Sequence, residues 1–292
     1  MFTLPIMIEQ AVNGLVLGSM YALVATGLTL IWGTMKMLNF AHGEFYMLGG
    51  FATYFGLMVL GMPPWLVVPI AVFLIFLIAF IMEKSIISPL MGKPGWDIST
   101  VVATLGAGIF LQNFAFKFWG GDFLNVPYMF DGVLRIWGMA FAWHRLYILA
   151  LSLVVIITFW QVVKRTRFGL ALRATAQDNE AAILMGIPFR RIYTITFGLS
   201  ASLAALAGSA LAHIFSVNPW MGMVPLIKAL IVVILGGLGS FTGAILGGFI
   251  LGLCESYSVL FLSSGWKDLI SFSLLIIILV IKPSGLFGAK EW

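Results

Sequence analysis

Charge is what this sequence lacks most. Only 9% of its 292 residues are Asp, Glu, Lys or Arg, while 61% are hydrophobic. A soluble domain carries about 25% charged residues. A chain so poor in ions cannot clothe a water-facing surface, whereas a lipid-facing surface needs no charges, so a soluble globular fold is excluded. The net charge of +5 is small and unevenly placed. It orients a membrane protein and leaves no footprint for nucleic acid. Cysteine is nearly absent: Cys254 stands alone, so no disulfide forms within the chain. His42, His144 and His213 are scattered, without the close spacing a metal site needs. There is no Gly-x-x-x-x-Gly-Lys-Ser/Thr phosphate loop, no His-Glu-x-x-His pair and no Gly-x-Ser-x-Gly turn. Hydrolysis of ATP by a phosphate loop is thereby excluded, and nothing positive points to an intramembrane hydrolase. Basic residues are also missing from the start, where the first is Lys36. A signal peptide needs a basic leader, so the opening apolar run is expected to be a retained span.

What the sequence has instead is long apolar runs. A span takes roughly 20 apolar residues at 1.5 Å each. Candidates fall at 8–33, 45–62, 65–82, 99–118, 145–163, 192–214, 224–238, 243–263 and 267–282. Several are short and 34–50 is ambiguous, so eight or nine spans are expected. A lone segment in lipid must satisfy its own backbone hydrogen bonds, which makes each span helical. Barrel strands would alternate polar and apolar residues, and runs such as Val67–Met82 do not. The expected class is an all-α polytopic membrane protein, with residues 1–292 forming one membrane domain.

Lys and Arg placement sets the orientation. The connection 164–191 holds Lys164, Arg165, Arg167, Arg173, Arg190 and Arg191, six of the sixteen basic residues, and is placed in the cytoplasm. Counting spans outward puts Lys36, Lys84, Lys93, Lys282 and Lys290 on the same side and the N-terminus outside. Lys117, Arg135, Arg145, Lys228 and Lys267 fall outside or at outer span ends. The outer connection 119–144 has room for a short helix and carries Trp119, Trp137 and Trp143, suited to an interfacial belt.

Small residues recur four apart at Gly14 and Gly18, Gly243 and Gly247, and Gly248 and Gly252. That spacing makes a smooth groove for close helix packing. Gly-rich spans near both ends of the chain hint at an internal repeat, although the halves do not align by inspection. Two segments stand out for chemistry. Asn39-Phe-Ala-His42-Gly-Glu44 places an amide, an imidazole and a carboxylate between apolar runs. One reading is a broken helix whose half-helix start offers N–H groups to an anionic solute, with Glu44 answering an ammonium group. The other is a hydrated polar turn at the inner interface, and composition does not choose between them. Asn13, Thr26, Thr29, Gln112, Asn113 and Glu255 are further polar residues in spans, suited to a pathway or to hydrogen bonds between helices. The second segment is 175–188. Thr175 and Asp178 have capping-box spacing and Pro188 closes the run, which predicts one helix over 175–187. Ile183, Leu184 and Met185 make it oddly apolar for a cytoplasmic loop. Docking into a partner's groove and packing on the bundle or membrane surface both fit.

At this point a resemblance emerges. The run from Gly14 to Gly33, then Met37-Leu-Asn-Phe-Ala-His-Gly-Glu44, resembles the opening of permeases from bacterial branched-chain amino acid ABC importers. So do Thr166-Arg-Phe-Gly-Leu-Ala-Leu-Arg-Ala174, Leu235–Gly248 and the ending Lys282-Pro-Ser-Gly-Leu-Phe-Gly288. The matches follow the family's order along nearly the whole chain. The resemblance implies a complex. Two permease chains, identical or different, would form the pathway and two cytoplasmic ATPase subunits would hold the ATP and Mg. A periplasmic binding protein would deliver the solute, and this chain would bind no cofactor of its own. Importer permeases often carry a Glu-Ala-Ala-x-x-x-Gly loop against the ATPase, and Glu180-Ala181-Ala182-x-x-x-Gly186 matches it, without the downstream Ile-x-Leu-Pro. The expectations are therefore Asn39, His42 and Glu44 in the substrate pathway, and Arg173, Glu180, Ala181, Ala182 and Gly186 in ATPase coupling. The expected motion is alternating access. The rival expectation is a stand-alone transporter of similar solutes driven by an ion gradient.

Overall fold

The computed structural model describes residues 4–136 and 139–288, so Trp137 and Lys290 of the belt and charge arguments lie outside the described residues. The described residues are mostly helical, as backbone in lipid must be. Helix α1 (Leu4–Met35) leads to α2 (His42–Tyr54), which continues as a π-turn over Phe55–Val59. Next come α3 (Pro64–Met82, with a π-turn over Glu83–Ile87), α4 (Trp96–Trp119) and α5 (Trp143–Arg165). The short helices α6 (Arg167–Gln177) and α7 (Asn179–Leu184) precede α8 (Phe189–Leu211), α9 (Met223–Gly236), α10 (Phe241–Ser258) and α11 (Lys267–Ile281).

Among the described residues, seven helices are long and apolar enough to cross a membrane. The two other expected spans, 45–62 and 224–238, correspond to the shorter α2 and α9. The outer connection holds no helix among its described residues between Trp119 and Trp143. Strands β1 (Val133–Ile136) and β2 (Met139–Ala142) pair there as an antiparallel hairpin, and Leu124 bridges Val217. The predicted single helix over 175–187 is also replaced. Thr175 lies near the end of α6, where its hydroxyl donates to Ala171 O at 2.9 Å and caps nothing. The chain breaks at Asp178, whose carboxylate takes the Ala181 N–H at 3.0 Å and caps α7.

Packing is densest around α1 and α8, which bury Met20, Leu23, Leu30, Ile31 and Phe197 completely or nearly so. The four-residue glycine spacing serves the α1–α10 contact. A Cβ on Gly14 would stand 2.9 Å from Leu253 Cα, and one on Gly18 2.9 Å from Phe249 Cα. The helices are antiparallel, since Ser256 near the end of α10 reaches Gln10 near the start of α1. α3 runs antiparallel to α8 likewise, with Ser202 donating to Val72 O at 3.5 Å and the Phe76 ring filling the space over Gly198.

These contacts follow an inverted repeat. Exchanging α1 with α8, α2 with α9 and α3 with α10 maps the α1–α10 pairing onto the α8–α3 pairing. The sequence carries its trace in Asn39-x-x-x-Gly43 and Asn218-x-x-x-Gly222, which share one offset of 179 residues (218 minus 39, 222 minus 43). Their local geometry agrees. Asn39 Oδ1 accepts the Ala41 N–H at 3.0 Å, and Asn218 Oδ1 accepts the Trp220 N–H at 3.0 Å. The His42 and Met221 N–H groups then reach the Asn39 and Asn218 carbonyls at 3.3 and 3.2 Å.

Candidate functional site

α1 ends where Lys36 turns into the left-handed region at φ 52°. The six residues 36–41 are not helical, and fully extended they could span about 20 Å. They carry the chain back into the bundle, and α2 starts at His42 beside Val24 and Ser200. Val24 lies about 16 Å of helix before Met35 at 1.5 Å per residue, and Ser200 is the midpoint of α8. The start of α2 therefore lies deep in the bundle and not at an interface. The start of α9 meets it there. A Cβ on Gly43 would fall 3.0 Å from the Gly222 carbonyl carbon, and one on Gly222 2.6 Å from the Gly43 carbonyl carbon, so neither position admits a side chain.

His42 is fully buried. Its Nε2 lies 3.0 Å from Val24 O, which can only accept, so Nε2 carries the proton in that contact. Nδ1 lies 3.4 Å from the Ser200 hydroxyl, which itself donates to Gly27 O at 2.7 Å. Gly27 is required by the ring: a Cβ there would stand 2.8 Å from His42 Cε1. Asn39 and Glu44 are buried too, and Asn39 Nδ2 and Glu44 Oε2 have no hydrogen-bond partner. The hydroxyls of Thr26, Thr29 and Thr196 are likewise buried and unpartnered. An orphaned buried polar group costs about 1–3 kcal/mol. Five such groups on α1, α8, the break after α1 and the first turn of α2 are chemistry suited to a polar solute or to water crossing the bundle. Phe40 N–H is satisfied by Thr104 Oγ1 of α4 at 3.2 Å, so α4 also braces the break.

The other expected set lies elsewhere. Thr166 caps α6 by accepting the Gly169 N–H at 3.1 Å, and Arg173 donates from Nη1 to Val163 O, folding α6 back on the end of α5. Glu180 and Ala181 are exposed and Ala182 is buried. Gly186 has φ 80°. Its N–H reaches Ile183 O at 2.9 Å and the Ile187 N–H reaches Ala182 O at 3.0 Å, the paired bonds of a Schellman cap. This explains the glycine: α7 must stop where only glycine adopts the left-handed turn without strain. Leu184 and Met185 are 87% and 83% exposed, an apolar tip that nothing among the described residues covers.

Sequence reasoning missed one cluster. Lys228, expected at an outer span end, is buried on α9 and forms ion pairs of 2.7 Å with Glu255 and with Asp268. Its Nζ also donates to Ser271 Oγ at 2.8 Å, Ser271 Oγ donates to Glu255, and Tyr21 OH donates to Glu255 at 2.8 Å. The sequence signal was a lysine and a glutamate inside two apolar runs. Intramembrane charges of opposite sign usually find each other.

Comparison with known proteins bears on both regions. The family described as "Branched-chain amino acid transport system / permease component" matches residues 10–279. The high-affinity branched-chain amino acid transport system permease protein LivH of Salmonella typhimurium is 34% identical, over 97% of this chain and 96% of its own. LivH of Escherichia coli is 33% identical over the same shares. The corresponding protein BraD of Pseudomonas aeruginosa is also 33% identical, over 97% and 96%. These relatives are permease proteins of transport systems. With the seven apolar helices, they make this a multi-pass protein of the bacterial inner membrane. The chain belongs to the family of branched-chain amino acid transport system permease components.

Proposed function

We propose that this chain is a membrane-spanning subunit of an ATP-driven importer that moves branched-chain or related amino acids inward by alternating access. Its partners are a second permease chain, two cytoplasmic ATPase subunits that hold the ATP and Mg, and a periplasmic binding protein. The observation that carries the reading is the bare apolar tip of α7. Leu184 and Met185 are exposed on the basic connection 164–191, and an exposed apolar knob on a helix capped at both ends is suited to fill a groove. Membership of a transport-system permease family, matched from residue 10 to 279, supports an ATPase as that partner. Closure of the ATPases pushes α7. Arg173 and the Thr166 cap pass the push through α6 to α5, and the two inverted halves exchange which side they open. Asn39, His42 and Glu44 then line the path at the point where the half-helices meet. The test is co-purification. Leu184→Glu together with Met185→Glu releases the ATPase subunits and stops uptake, while the variant still inserts. Full ATPase association and normal uptake by that variant would remove the coupling role.

One observation favours a second reading, a stand-alone transporter driven by an ion gradient. Such a protein is expected to bury charges, and Lys228 with Glu255 are buried charges. Their close pairing fits a structural staple better than an ion-carrying site. Collapse of the ion gradient with cytoplasmic ATP maintained separates the two: uptake persists in the ATP-driven reading and stops in the other.

A further inference from the structure

On the side where α1 and α5 begin, opposite the basic connection, a cleft of about 240 Å³ opens between α1, α5, the segment after α8, the end of α10 and the start of α11. It has room for about eight waters at ~30 Å³ each, the size of a small solute. Its lining includes Arg145, Lys267, Gln10 and Asn13, with Leu17 and Phe215 among the apolar walls.

Neither cation has a counter-ion among the described residues. Among the described residues, the ion pairs are those of Lys228 with Glu255 and Asp268. Asp268, the acid next to Lys267, is thus already taken. Arg145 spends one donor on Asn13 Oδ1, and a guanidinium has five in a fork that fits a carboxylate. Gln10 is fixed by Ser256, whose hydroxyl lies 2.7 Å from Gln10 O and 2.9 Å from Gln10 Oε1. The amide oxygens of Gln10 and Asn13 each keep a lone pair for an ammonium group. The rim is rigid because Ser256 follows Glu255 and Lys267 precedes Asp268, so the Lys228 ion network ties both rim segments to α9.

We infer that this cleft is a reception site for the incoming solute: Arg145 and Lys267 take an α-carboxylate, the amides face the ammonium group, and the apolar walls take an aliphatic side chain. The inference rests on the permease reading, and it adds a station above the half-helix junction. Leu17 precedes Val24, the contact of His42, by about 10 Å of helix.

The test labels a cysteine in the cleft, Leu17→Cys on a Cys254→Ser background, with a small maleimide in the assembled complex in nanodiscs. L-Leucine slows labelling about tenfold at ~10 Kd, as occupancy of a single site requires. Isoamylamine, which is leucine without its carboxylate, does not. Arg145→Gln removes the protection and Arg145→Lys restores part of it. If Leu17→Cys fails to assemble, Val259→Cys reports on the same cleft. Equal protection by leucine and isoamylamine, or none in a complex that still takes up leucine with ATP, overturns the cleft and leaves the permease reading standing. Protection by phosphatidylglycerol in place of leucine assigns the cations to lipid and overturns it too. So does Arg145→Gln weakening binding-protein affinity with protection intact, which makes Arg145 a docking contact. Absence of ATP-driven uptake of any amino acid by the native complex sinks the permease reading itself.

Discussion

Glycine at 27, 43 and 222 is what lets a histidine and two half-helix starts share the interior of the bundle. Gly222→Ala inserts a methyl group against the Gly43 backbone, where the Cβ would lie 2.6 Å from a carbonyl carbon. Overpacking of this kind costs about 1–3 kcal/mol. The variant is expected to lose thermal stability in detergent by that amount and to lose uptake, and a native melting profile with native uptake would contradict the close approach. His42→Ala and Glu44→Gln touch the same junction more gently. Both are expected to assemble with their partners and to take up solute poorly, and wild-type uptake by both reduces the junction to packing. The Lys228 network makes a separate prediction. Breaking a buried pair on one side costs about 3–5 kcal/mol, because the abandoned charge stays buried. Lys228→Met is therefore expected to destabilise the chain strongly, and Lys228→Met with Glu255→Gln to recover most of the loss. Thermal unfolding of the two variants in nanodiscs checks the order, and equal melting would show that the ion pair carries no such strain.

At the scale of elements, α7 is a six-residue helix held by a cap at each end. Gly186→Ala places a Cβ at φ 80°, at a cost of about 1–2 kcal/mol. No neighbour lies within 4 Å of that Cβ, so the effect is on the turn and not on packing. The variant is expected to insert normally but to retain less ATPase on co-purification. Unchanged retention would show that the turn is dispensable. The pattern from Glu180 to Gly186 was found in the sequence through its resemblance to the importer loop, while the cap that Gly186 makes was not read there, because Pro188 looked like the stop. The helix start was misread because a cap is inferred from spacing alone: Thr175 has that spacing, but its hydroxyl is spent inside α6, and Asp178, three residues on, takes the role. All nine apolar runs were legible as helices. That two of them begin inside the bundle was not, because run length says nothing about where a chain doubles back. The clue lay in a pair of Asn-x-x-x-Gly segments 179 residues apart (218 minus 39), too short to notice until their turns were seen to coincide. The pairing of Lys228 with Glu255 stayed hidden because it joins different helices.

Across the whole molecule α1–α3 fold against their inverse, α8–α10, with the starts of α2 and α9 meeting inside and the exposed apolar tip of α7 at one end. In the proposed mechanism such symmetry would give two equivalent arrangements, one open to each side, between which a push on α7 would select. Composition was enough to place the chain in lipid, and the order of its motifs enough to place it in a family, but the inverted architecture needed the contacts. The central claim is that this motion is driven by partners and not by the chain alone. The measurement is uptake of radiolabelled leucine into proteoliposomes, made either with this chain alone or with its partner permease, ATPases and binding protein, under an imposed ion gradient and with or without ATP on the cytoplasmic side. The account predicts uptake only for the full set with ATP. Gradient-driven uptake by the chain alone would contradict it.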